Sequence, residues 1–68
     1  MRIRLNGETA QLPDGASLVE AVAAAGADGE RRGIAVAVEG EVVPRGEWEA
    51  TSLRDGQSVE VVRAIQGG

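Results

Sequence analysis

The last three residues, Gln66-Gly67-Gly68, hold the one chemically distinctive group in this chain. Glycine contributes no side chain to a core and loses most on being ordered, so such an ending does little for a fold. The α-carboxylate of Gly68, with a reference pKa of about 3.5, is ionised at neutral pH. A carboxylate becomes an electrophile once one oxygen is made a leaving group. Adenylation by ATP does this and opens the carbonyl to sulfur or an amine. Two glycines without Cβ atoms suit a terminus that must thread a narrow channel and let catalytic groups approach closely. Fully extended, residues 65–68 reach at most about 14 Å from a folded body.

Little else in the composition could act as a catalyst. The 68 residues contain no Cys and no His, which removes the common nucleophile, general base and metal ligands. No stretch matches a phosphate-binding glycine loop. Seven basic and eleven acidic residues give a net charge of −4, against the basic face that nucleic acid requires. All seven basic residues are Arg, so no side-chain amine is available for self-attachment. Glu39, Glu41, Glu47 and Glu49 bunch together and read as solvated surface, with docking on a basic partner as the alternative. The chain fits a substrate or carrier for other enzymes better than a catalyst. No apolar run approaches a membrane span, and the start lacks the apolar stretch of a signal peptide. The expected setting is therefore the cytoplasm, with no membrane partner.

A terminus used in this way needs a compact body behind it. "RIRLNGETAQL" alternates polar and apolar residues around Asn6-Gly7, which suits a two-residue type I′ turn. That turn pairs Leu5 with Glu8, Ile3 with Ala10 and Met1 with Leu12, and gathers the apolar side chains on one face. Pro13-Asp14-Gly15 makes a turn, and Ser17 with Glu20 has the form of a capping box. Leu18, Ala21, Val22 and Ala25 recur at helical spacing, and Gly26 supplies a stop. The spacing predicts one helix over about residues 18–25, after which 27–33 form a polar loop.

"IAVAVEGEVV" (34–43) reads as a second hairpin, with Ile34, Val36 and Val38 on one face and Ala35 and Ala37 on the other. Pro44 ends it. An irregular connection closes on Asp55-Gly56, and a last strand runs over 58–64. In it Val59 and Val61 face one way and Glu60, Val62 and Ala64 the other. Leu18, Val22, Val59 and Val61 are the expected core between helix and sheet.

This order predicts an α+β fold: a mixed four- to five-stranded sheet packed on one helix. It looks like a β-grasp (ubiquitin-like) domain, in which the final strand lies mid-sheet and parallel to the first. The expected division is a domain over residues 1–64 and a flexible tail over 65–68.

Over essentially its whole length the sequence resembles the ThiS family, the sulfur carriers of thiamine biosynthesis. The matching pieces are "LNGE" at 5–8, "LPDGASL" at 12–18, "VAVEGEVVPRGEW" at 36–48, "LRDGQSVEVV" at 53–62 and the final "IQGG". Pro44-Arg45-x-x-Trp48 and the terminal Gly-Gly are the specific parts. Glu39 stands where the family's pattern has Asn, which leaves the local turn type open.

The resemblance implies a cycle with three partners. An adenylyltransferase of the ubiquitin-activating type (ThiF-like) would use MgATP to activate Gly68, the carrier itself binding no cofactor. Sulfur from a cysteine desulfurase persulfide would replace the AMP and leave a thiocarboxylate. The thiazole synthase (ThiG-like) would take that sulfur. Gly67 would serve tail threading.

The outer sheet face, with Ala35, Ala37, Val62 and Ala64 near Arg2 and Arg4, offers a modest apolar patch for transient docking, and Ile65 continues it. Arg45 reads equally as a surface charge or a docking contact. Trp48 reads as a core or turn plug in preference to a partner contact. The free protein is expected to be a monomer. Rival readings are a carrier for molybdopterin or cysteine synthesis, a ubiquitin-like protein modifier, and an RNA-binding β-grasp module, which the acidic charge disfavours.

Overall fold

A computed structural model describes residues 1–26 and 33–63 of the chain. The strands are β1 (Arg2–Leu5), β2 (Glu8–Gln11), β3 (Ile34–Val38), β4 (Glu41–Val43) and β5 (Ser58–Arg63), with one helix, α1 (Leu18–Ala24). A single 3-10 turn, Arg45–Glu47, follows β4. The five strands form one sheet in the order β2-β1-β5-β3-β4. β5 runs parallel to β1 and antiparallel to β3, so the last strand lies in the middle. This is the β-grasp arrangement. Residues 27–32 of the predicted 27–33 loop and the tail over 65–68, with the domain boundary at Ala64, lie outside the described residues.

Two hairpins with the same turn build the halves of the sheet. Asn6 and Gly7 take φ of 53° and 84°, and the strands pair Leu5 with Glu8 and Ile3 with Ala10 as the spacing requires. Glu39 and Gly40 take φ of 51° and 85°, so Glu39 keeps the left-handed turn that Asn would adopt more readily. Val38 therefore faces Glu41, and Val36 faces Val43.

The Ser17 side chain starts the helix by accepting the Val19 N–H at 3.2 Å, one position earlier than a capping box requires. Gly26, at φ 77°, ends it, and its N–H donates to the Ala23 carbonyl. The apolar stripe of Leu18, Ala21 and Val22 is completely buried against Ile3, Leu5, Val36 and Val59.

Three of the four expected core residues are therefore in the core; Val61 is only half-buried at its edge. The seven-residue helix is about 10 Å long, whereas the six-residue β5 spans about 20 Å, so the strand outruns its cover.

The irregular connection after β4 supplies the rest of the core. Trp48 is buried, and its indole N–H donates to the Val43 carbonyl at 2.9 Å. Leu53, which no periodicity marks, is buried beside it. Two backbone bonds, Leu18 N–H to the Thr51 carbonyl and Leu53 N–H to the Ala16 carbonyl, hold this segment along the start of α1. Trp48 is thus a core plug.

Candidate functional site

The central strand aims the terminus. Successive β5 amides point alternately to β3 and to β1. On the β3 side the pairing is long, running from Val38↔Val59 to Ile34↔Arg63. On the β1 side it covers only Arg4↔Ser58 and Leu5↔Val59, because β1 turns away at Asn6. Side chains complete both sides. The Asn6 Oδ1 accepts the Val61 N–H at 2.8 Å, and a Glu39 carboxylate oxygen accepts the Ser58 N–H at 2.7 Å. The described part of β5 ends at Arg63, opposite Ile34. Gly67 and Gly68, the residues expected to do the chemistry, lie beyond it and outside the described residues, as do Ala64 and Ile65.

Strand alternation puts Ala35, Ala37, Glu60 and Val62 on the face away from the helix. Ala35 is paired with Val62, and Ala37 lies between Glu60 on one side and Val42 on the other. Val62 is 56% exposed and Val42 72%, the two large hydrophobic residues left in solvent among those described. Sequence reasoning missed Val42. The signal is in the sequence, since a two-residue turn at Glu39-Gly40 places Val42 opposite Ala37.

The charged rim differs from expectation. Arg4 pairs with Ser58, four residues from Val62 and hence about 13 Å along the strand. Arg2 and Arg4 therefore border the start of β5, and the charge set among the apolar pairs is Glu60. Arg45 sits on the 3-10 turn, so no register row joins it to the patch.

A shallow depression lined by Met1, Arg2, Gln11 and Asp55 lies at the start of β1. Its walls are structural: the Arg2 N–H donates to the Asp55 carboxylate at 2.7 Å, and the Gly56 N–H to the Arg2 carbonyl at 2.7 Å. Among the described residues no group of three His, Cys, Asp or Glu is placed to hold a metal ion, and no helix is long and apolar enough to cross a membrane.

A mid-sheet last strand, in a sequence that ends in Gly-Gly, is thus combined with an exposed apolar face. Residues 3–68 match the family model described as the ThiS family. The chain belongs to the ThiS family.

Among solved structures it is similar to the crystal structure of the thiamine biosynthesis protein ThiS from Geobacter metallireducens. That likeness has a TM-score of 0.81 and 26% identity over the whole of both chains. It is also similar to the solution NMR structure of a thiamine biosynthesis protein from Geobacter metallireducens. There the TM-score is 0.75 and the identity 28%, over all of this chain and 88% of the other. None of the curated proteins matches the sequence. The ThiS match extends from Ile3 on β1 through Gly68, so it spans both the folded body and the terminal glycines.

Proposed function

We propose that this chain is a sulfur carrier of thiamine biosynthesis whose working group is the Gly68 carboxylate. The observation that carries the reading is a family match that includes Gly67-Gly68 behind a β-grasp body. A carboxylate oxygen of Gly68 attacks the α-phosphorus of ATP, bound with Mg²⁺ by a ubiquitin-activating-type adenylyltransferase, and pyrophosphate leaves. A persulfide from a cysteine desulfurase then attacks the carbonyl carbon and AMP leaves. A thiol reduces the resulting acyl disulfide to the thiocarboxylate.

The sulfur stays covalently held until a thiazole synthase consumes it. The carrier contributes no acid, base or metal; it supplies a reachable carbonyl and a surface for docking. Ala35, Ala37, Val42 and Val62 form the centre of that surface and Arg45 is a separate contact; Ala64 and Ile65, outside the described residues, are proposed contacts from the sequence alone. The cytoplasm supplies the ATP and reduced thiols that this cycle uses.

The test is reconstitution with MgATP, adenylyltransferase, cysteine desulfurase, cysteine and a thiol reductant, followed by intact mass measurement. The expected product has one oxygen replaced by sulfur, and Gly67→Val impairs its formation because a branched side chain blocks threading. Appearance of isopeptide conjugates on target lysines, with no thiocarboxylate, would establish the protein-modifier reading instead.

A further inference from the structure

The two hairpin turns do more than reverse the chain. Each places a non-glycine residue at positive φ, and each of those residues turns its side chain onto a β5 amide. Glu39 fastens Ser58 at the start of the strand, where the Glu39 N–H also donates to the Ser58 carbonyl at 2.9 Å. Asn6 fastens Val61 farther along, on the side from which β1 has departed.

The geometry there is specific. In the parallel ladder the Arg4 N–H donates to the Gln57 carbonyl and the Asn6 N–H to the Val59 carbonyl, both at 2.9 Å. The next step would need a strand carbonyl facing the Val61 N–H. The chain turns at Asn6-Gly7, and the Asn6 side-chain carbonyl takes that place at 2.8 Å. The ladder is thereby extended by one rung, through a side chain, toward the end of β5 that leads to residue 64.

We infer that Asn6 is a positioning residue: its side-chain carbonyl holds the C-terminal half of β5 against β1 and so fixes the direction of the strand that leads to the Gly-Gly terminus. This rests on the carrier reading for its consequence and on the Asn6–Val61 bond for its mechanism. Without the bond, β5 beyond Val59 keeps its pairing with β3 and the Arg63 side-chain bond to the Gly26 carbonyl. It loses its tie on the β1 side, and the end of the strand takes a wider range of directions. Val62 lies on the same half of the strand but stays paired with Ala35 on β3, so the docking face keeps its pairing and the loss falls on delivery of the carbonyl to the site.

Three variants separate the parts. Asn6→Gly keeps the left-handed turn and removes the acceptor, Asn6→Asp keeps both, and Glu39→Gly removes the fastening at the other end of the strand. Amide exchange is read at Val61 with Val22 in α1 as reference. Asn6→Gly should raise Val61 exchange relative to Val22 by roughly fivefold, the equivalent of one net hydrogen bond. Asn6→Asp should restore protection, and Glu39→Gly should leave Val61 unchanged.

In carrier-dependent ATP–pyrophosphate exchange with the adenylyltransferase, Asn6→Gly should lower kcat several-fold at unchanged KM, and Asn6→Asp should recover it. Wild-type exchange at Val61 in Asn6→Gly, or loosened Val61 with full kcat, overturns the inference. A wild-type chain that is never adenylated overturns the carrier reading; faster Val61 exchange in Asn6→Gly would still uphold the clamp.

Discussion

Trp48 shows how one side chain can tie an irregular segment to a sheet. It fills the core beside Leu53 and donates its indole N–H to Val43 at the end of β4. Trp48→Phe keeps an aromatic ring and leaves the half-buried Val43 carbonyl without that donor. The variant should lose about 1–3 kcal/mol, the cost of an unsatisfied buried polar group. Because the chain has a single Trp, urea unfolding must be followed by far-UV circular dichroism. A midpoint equal to wild type would mean that Val43 finds another donor at no cost.

Val62 is the opposite case, a large apolar side chain that the fold leaves exposed. Val62→Asp should change stability by no more than about 0.5 kcal/mol, as surface substitutions usually do. Its binding to the adenylyltransferase, measured by calorimetry, should weaken at least about tenfold, since an unpaired charge in an interface core must be desolvated. Unaltered affinity in the folded variant would move the docking surface off this face.

At the scale of elements, short pieces are held by their ends. α1 has seven residues, too few to persist alone, and depends on its buried stripe and on the Ser17 cap. Ser17→Ala should cost about 1 kcal/mol, enough to lower Tm by roughly 4–8 °C in a domain of this size. A thermal scan by circular dichroism reads this directly, and an unshifted Tm would show that the backbone bonds of Leu18 and Ala16 with Thr51 and Leu53 hold the helix start without the cap.

The Glu39-Gly40 turn makes a second case. A Cβ on Gly40 would meet no atom within 4 Å, so the cost of Gly40→Ala is conformational alone. At φ 85° it should amount to roughly 1–2 kcal/mol by urea titration. A neutral variant would mean that the turn relaxes to another type.

These elements were unevenly legible in the sequence. Asn6-Gly7, the Leu18 stripe and the alternation of "IAVAV" each repeat a period that only one element satisfies, so hairpin, helix and β3 emerge with nearly the right limits. Leu53 lies in a stretch with no period, and its burial follows from where β4 delivers the chain. Val61 has the right alternation, but its exposure depends on the length of a helix on another layer. The bonds from Asn6 and Glu39 to β5 join residues 55 and 19 positions apart, and local pattern carries no trace of them.

For the whole molecule, the topology and the proposed chemistry meet at one strand. β5 is the central strand of the sheet, paired on both sides and fastened by side chains from both turns, and it is also the strand that leads to Gly68. On the proposed function, a firm body ahead of the reactive terminus is what a carrier that visits several enzymes requires. On the same reading, the exposed Val42 and Val62 are where those enzymes would dock.

The candidate site was legible in part. The glycines and the alanine rows stand out in the sequence, whereas Val42 and the position of the arginine rim needed the register of the sheet. If the terminal carbonyl is the working group, its position along the chain matters more than any side chain. The decisive measurement is intact mass after reaction with MgATP, adenylyltransferase and sulfur donor. It compares the chain ending at Gly68, the chain lacking Gly68, and the chain extended by one residue, each verified as folded. Sulfur for oxygen exchange is predicted in the first alone. The same mass gain in the extended chain, with the added residue still attached, would contradict the account.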